Sequence, residues 1–122
     1  MLSLTAGMRY KYCEGNLSFR YKWDAMINYI RYVLHEDPWS GTVFIFMNRR
    51  HNQLRVFYYE RGGFVISEKK LDRCYKFHTP VFDEKKQTYS ICWANFVSLL
   101  EDKQLRQFYR LTCKFLCLSV YH

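Results

Sequence analysis

The sequence predicts an α+β fold in which an antiparallel β-meander of at least three strands packs against an amphipathic N-terminal helix and C-terminal helices. Three observations carry this. Apolar residues between 18 and 36 recur at steps of three and four, the period of a helix with one buried face. Three runs rich in Val, Ile, Phe and Tyr follow at 42–48, 53–59 and 64–70, joined by segments only long enough for turns. A helical period then returns after Ser90.

In chain order, Met8 to Cys13 is short and Tyr-rich and reads as a first strand or an extended entry segment, broken by Gly15 and Asn16. The helix over 18–36 has Ser18 as its N-cap and Phe19, Trp23, Met26, Ile27, Ile30, Val33 and Leu34 on its apolar face. Asp37-Pro38 ends it, because the residue before proline is pushed out of the α region. Thr42 to Asn48 is a continuous apolar run, which suits a central strand buried on both faces. Gln53 to Tyr59 and Phe64 to Lys70 form a hairpin with it and with each other. The second hairpin turns either on Arg61-Gly62 or on Gly62-Gly63. The first option sets Arg55 opposite Glu68 and Phe57 opposite Ile66; the second uses better turn residues. Residues 80–88 read as a polar loop. Ser90 caps a helix carrying Trp93, Phe96, Val97 and Leu100, and a third helical pattern after Asp102 aligns Leu105, Phe108, Tyr109, Thr112, Phe115 and Leu116.

The 122 residues are the length of one domain, so 1–122 is read as a single unit. Lys and Arg number 19 against 11 Asp and Glu, a net charge of +8, which makes a polyanion the default partner. Aromatic residues make up 20% of the chain, enough both to fill a core and to leave rings for base stacking. The five cysteines (Cys13, Cys74, Cys92, Cys113, Cys117) are irregularly spaced with no CxxC, which points to a reducing cytoplasm rather than a disulfide scaffold. The opening MLSLTAGMRYKYC lacks the pattern of a secretion signal, and no apolar run is long enough to span a membrane.

An up-down-up meander brings the end of its first strand, the start of its second and the end of its third to one rim. Arg49, Arg50, Arg55, Lys69 and Lys70 lie near that rim, with His51 among them and Arg73 and Lys76 just beyond. Such a cluster fits a phosphate backbone, with Arg forks making bidentate contacts. Glu68 and Asp72 sit close by and blunt the field. Catalysis finds no comparable support. The carboxylates are scattered where two-metal chemistry needs them to converge, and no phosphate-binding loop, metalloprotease or nucleophile-elbow motif occurs. Cys74 and His78, with Cys113, Cys117 and His122, have residue types suited to zinc, but free cysteines are commonly buried as small hydrophobes, and no metal, cofactor or small-molecule substrate is assigned.

The ordered blocks resemble one family, the accessory protein (often labelled TnpB) of the insertion-sequence-66 group of bacterial transposable elements. The segment from Asp37 to Arg50, DPWSGTVFIFMNRR, is similar to that family's DPLSGxVFVFxNRR. Leu54-Arg55-Val56, Gly63-Phe64-Val65 and Lys69-Lys70-Leu71-Asp72-Arg73 follow like its later blocks, and Trp93 with Leu99-Leu100-Glu101 resembles its late W…LLEG. Upstream, Met8-Arg9-Tyr10, Phe19-Arg20 and Trp23-Asp24 match its opening. Tyr21-Lys22 and Tyr59 depart from the pattern. The resemblance covers about residues 1–101 and leaves 102–122 as a divergent helical tail. It implies a non-catalytic helper in DNA transposition, acting beside a larger transposase that holds the catalytic acids. The expected partner is DNA at the element ends, gripped through Arg49, Arg50, Arg55, Lys69, Lys70 and Arg73. The alternative is a module docking on the transposase or a sister accessory protein through an aromatic patch around Phe108 and Phe115.

Overall fold

The structure, a computed structural model of the chain, describes residues 4–15, 17–78, 80, 87–101 and 103–105. Strand β1 (Tyr10–Cys13) leads to helix α1 (Trp23–Asn28), which runs without a break into a π-helical turn over Tyr29–Val33. Strands β2 (Val43–Met47), β3 (Gln53–Glu60), β4 (Gly63–Lys70), β5 (Tyr75–Phe77) and β6 (Thr88–Ile91) follow, then helix α2 (Trp93–Glu101) and strand β7 (Lys103–Leu105). The main sheet has five strands in the order β4-β3-β2-β1-β6, and β5 pairs with β7 in a separate ribbon.

The fold is α+β, but the sheet is mixed rather than antiparallel. β2, β3 and β4 are joined antiparallel through short loops, whereas β1 lies parallel to β2 with Tyr10 opposite Val43. Parallel neighbours need a crossover rather than a hairpin, and the segment carrying α1 is that crossover. β6 closes the other side of β1, antiparallel, with Ser90 opposite Lys11. Ser90 therefore belongs to a strand and caps no helix; α2 starts at Trp93. Lys103–Leu105, expected to be helical, pair with β5 instead. The remainder of that expected helix, with Phe108 and Phe115, lies outside the described residues.

Strand alternation divides the core into two layers. Val43, Ile45 and Met47 of β2 and Leu54, Val56 and Tyr58 of β3 pack with Phe77 of β5 and Phe96 and Leu99 of α2. On the opposite face Phe44, Phe46 and Phe57 pack with Met26, Ile30 and Leu34. Every residue of β2 is buried, as its unbroken apolar run predicts. Tyr10 stacks on Phe96 with centroids 4.7 Å apart, fixing α2 to β1.

The N-terminal helix is shorter than its sequence period. The Ser18 carbonyl accepts from Tyr21 N at 3.1 Å and its Oγ from Arg20 N at 3.3 Å, so Ser18 shapes a turn and the helix begins at Trp23. Trp23 and Val33, expected on the buried face, are 49% and 43% exposed. The π turn accounts for Val33: Leu34 N bonds to Tyr29 O, five residues back, and the wider turn keeps Leu34 inside while rotating Val33 out.

The β3–β4 hairpin turns on Arg61-Gly62. Both have positive φ, 48° and 85°, the geometry of the two-residue turn whose twist matches the flanking strands. That register places Arg55 opposite Glu68 and Phe57 opposite Ile66.

Candidate nucleic-acid interface

The rim at which β1, β2 and β4 end and β3 and β6 begin is organised by Asn48. Its Oδ1 accepts from Asn52 N and Gln53 N, both at 3.0 Å, and its Nδ2 donates to Asn52 Oδ1 at 2.6 Å. Its backbone N–H donates to Gln53 O, while His51 N donates to Asn48 O. This network holds the chain in a compact loop and allows His51 a positive φ of 59°. Arg49 and Arg50 occupy the two positions of that loop most open to solvent, and both are exposed. The NRR motif thus divides its labour: the asparagine shapes the tip, and the arginines are displayed on it.

Two further bonds gather neighbouring segments at the tip. Leu71 N donates to Asn52 O at 2.7 Å, and Phe77 N donates to His51 O at 2.6 Å. The end of β4, the Asp72–Tyr75 turn and β5 are thereby held beside the loop. Lys70 stands opposite Gln53 and Lys69 opposite Leu54. Alternation sends Lys69 to the α2 side of the sheet, where its Nζ donates to Leu100 O at 2.8 Å, and Lys70 to the α1 side. Arg73 is exposed in the turn before β5. Among the described residues, ion pairs join Lys11 to Glu36 and Arg55 to Glu68, and none engages Arg49, Arg50, Lys70 or Arg73.

Arg55 does not share this placement. It is fully buried, on the face covered by α1. Its Nε donates to Glu68 Oε1 at 2.6 Å, its Nη1 to Tyr21 O at 2.6 Å and its Nη2 to Phe19 O at 2.6 Å, and its guanidinium lies 4.8 Å from the centroid of the Phe19 ring. Those bonds occupy the carbonyls of residues 19 and 21, which is why the helix starts late. No phosphate can reach a guanidinium so enclosed. Arg55 fastens the α1 lead-in to the sheet, and the set of cations open to a polyanion is reduced to Arg49, Arg50, Lys69, Lys70 and Arg73.

Pairing of β1 beside β2 brings further residues to the rim. A cleft of ≈ 250 Å³ behind the tip is lined by Tyr12, Glu14, Gly15, Met47, Asn48, Arg49 and His51. Burial pushes the Tyr12 phenol up to about 12, with the Glu14 and Cys13 charges adding to the rise, so it stays protonated. The His51 ring, with Nδ1 2.9 Å from Met47 Sδ, has its pKa lowered by burial and by the nearby Lys76. It is therefore neutral at pH 7 and adds no charge to the rim. The Asn48-Arg49-Arg50 motif was the available sequence signal for the loop; Glu14 could be found only once β1 was known to run parallel to β2.

Other sequence expectations resolve here. Cys74 is held in a disulfide, which its spacing did not announce, so its sulfur is no thiolate ligand, and His78 is exposed nearby. Cys113, Cys117 and His122 lie outside the described residues. No helix among the described residues is long and apolar enough to cross a membrane.

These features define a small basic α+β protein with a mixed sheet that displays cations on a hairpin tip. The chain belongs to the IS66 Orf2-like family: the family model described as "IS66 Orf2 like protein" matches residues 8–110. The match runs past residue 101, where the resemblance of sequence blocks ended. Membership points to an accessory role in insertion-sequence transposition. It is also similar to the protein y4jC of Sinorhizobium fredii (strain NBRC 101917 / NGR234), 26% identical over 83 residues that cover 68% of this chain and 71% of the relative. No solved structure matches.

Proposed function

We propose that this protein serves transposition as a non-catalytic DNA-binding helper whose β2–β3 tip grips the phosphate backbone. The observation that carries the reading is the Asn48-organised loop, which holds Arg49 and Arg50 exposed and free of ion pairs, with Lys70 and Arg73 beside it. Guanidinium forks aimed into solvent match phosphate oxygens in geometry and charge. Contacts of this kind fix a protein on the duplex without reading its sequence. Discrimination of element ends would then come from a partner such as the transposase, or from DNA shape. Lys69 is the weakest member of the set, since Leu100 O already holds its ammonium.

The test is a titration of labelled element-end duplex, read by fluorescence anisotropy across a salt series. Binding should weaken steeply with salt, and the double variant Arg49→Glu/Arg50→Glu should flatten the log–log slope by about 2, one counterion-release increment of about 0.9 for each phosphate no longer neutralised. A slope unchanged by the double substitution, or affinity indifferent to salt, would remove the tip from the reading.

A further inference from the structure

The large hydrophobic side chains exposed among the described residues are not scattered. Tyr21, Trp23, Tyr32, Val33 and Trp39 all belong to the stretch that contains α1 and its π turn. Solvated apolar residues occurring singly need no explanation, whereas a contiguous group of them marks an interaction surface. Three of them, Tyr21, Tyr32 and Val33, line a groove of ≈ 400 Å³ along the helix together with Ala25, Asn28 and Tyr29. The π turn is what creates it. A regular α-helix would place Val33 on the buried face with Ile30, yet the wider turn presents Tyr32 and Val33 to solvent at 63% and 43%. Such turns are rare and are frequent at functional sites.

We propose that this groove docks an acidic amphipathic helix from a partner protein. Two features choose the occupant. The first is charge: Arg20 and Lys22 flank Tyr21, and Arg31 is fixed over the rings of Tyr32 and Trp39 at 5.1 and 5.4 Å, while Asp24 is the one exposed carboxylate within the helix. Cations around an apolar floor favour a partner with carboxylates around an apolar stripe. They disfavour a second copy of this chain, which would bring the same cations and a net charge of +8 against its own kind. The second is shape and composition. Ala25 and Val33 line the groove alongside the tyrosines, an apolar surface that suits a branched or aromatic side chain entering as a knob. Tyr, Trp and Arg are also the residue types that dominate the energetics of protein–protein contacts. This groove lies outside the rim and shares no residue with it, so the inference stands apart from the DNA-binding reading.

The experiment uses the full chain and three labelled helical peptides with the same apolar i, i+3, i+4, i+7 spacing and acidic, neutral or basic flanks. A labelled single-stranded oligonucleotide is titrated alongside. Anisotropy should show the acidic peptide binding at least tenfold tighter than the basic one. Tyr32→Glu, at the most exposed ring, should abolish that binding with the circular dichroism spectrum unchanged, and Arg31→Glu should erase the charge preference. Arg49→Glu/Arg50→Glu should leave peptide affinity as it is, which separates this site from the rim. Failure of the acidic peptide to bind, or binding that ignores peptide charge or survives Tyr32→Glu, overturns the proposal. So does oligonucleotide binding that Tyr32→Glu abolishes while the peptides do not compete, which would make the rings a base-stacking surface. A concentration-dependent dimer dissolved by Tyr32→Glu would overturn it in favour of self-association.

Discussion

Arg50 and Arg55 are five residues apart, carry the same side chain and reach opposite fates. Arg50 sits on a loop whose polar requirements Asn48 has already met, so its guanidinium extends into water. Arg55 is in the middle of β3 with its side chain under α1, and every polar direction of its fork ends on protein: Glu68, Phe19 O and Tyr21 O. A charge buried this thoroughly is tolerated because carboxylate and carbonyls replace the lost water. The lesson is that nearness to a sheet rim in sequence does not decide whether a cation serves a partner or the fold. The side of the strand it occupies, and what covers that side, decide it.

The largest effect should come from the buried member. Arg55→Met removes three hydrogen-bonding directions at once and strands the carbonyls of Phe19 and Tyr21, so urea unfolding should show a loss of about 3–5 kcal/mol. Arg55→Lys should restore little of it, because a single ammonium cannot reach a carboxylate and two carbonyls in the planar geometry of a fork. If Arg55→Met instead left stability near the parent value and weakened DNA binding, the division between the two arginines would be wrong. The Arg49→Glu/Arg50→Glu variant should behave in the opposite way: unfolding within about 0.5 kcal/mol of the parent, as for exposed sites generally, with the loss appearing only in DNA affinity and its salt slope.

The same contrast explains what was legible in the sequence. β2 was readable because a strand at the centre of a sheet is apolar at every position, and TVFIFMN is such a run. The β3–β4 hairpin could be narrowed to two registers, and the one that pairs Arg55 with Glu68 is adopted. That pairing was itself a sign of an Arg55 committed within the fold, but cross-strand partners occur on exposed faces as well, and only the position of α1 reveals the burial. The Tyr-rich run of β1 is extended in pattern, yet its parallel alignment with β2 depends on a crossover whose path leaves no local mark. β5 and β6 have only three and four residues, too few for periodicity to register. The displaced helix start has a physical cause outside the helix: residues 18–22 have helical spacing, but Phe19 and Tyr21 give their carbonyls to an arginine more than thirty residues away.

A smaller effect tests whether Asn48 separates shape from display. Asn48→Ala removes two acceptor bonds to backbone N–H groups and the bond to Asn52. The loss should be about 1–3 kcal/mol, the usual consequence of leaving partly buried donors unmet. DNA affinity should fall as well, although no charge has changed, because Arg49 and Arg50 would no longer be held together. Asn48→Asp keeps the acceptor and should retain most of the stability. Equal DNA affinity in Asn48→Ala and the parent would show that the arginines need no organised loop, and the contrast with Arg55 would reduce to exposure alone.

The smallest effect belongs to His51, which stands on the boundary between the two regimes: in the tip loop, yet half-buried against Met47. Its pKa is lowered in the folded chain, first by burial and then by Lys76. The unfolded chain, with an ordinary imidazole titrating near about 6.5, therefore binds a proton more readily than the folded one. Stability is fully present above the unfolded value and declines as pH falls through it, levelling off once the folded ring is protonated too. Thermal unfolding followed from about pH 7.5 downward should show this decline in the parent and a flatter profile in His51→Gln, which cannot take up the proton. Protonation would also bring one more positive charge to the rim, so DNA affinity should rise over the same interval in which the fold weakens. Opposite slopes in the two measurements, both diminished by His51→Gln, would place this ring at the junction of fold and display; parallel slopes would put it wholly on one side.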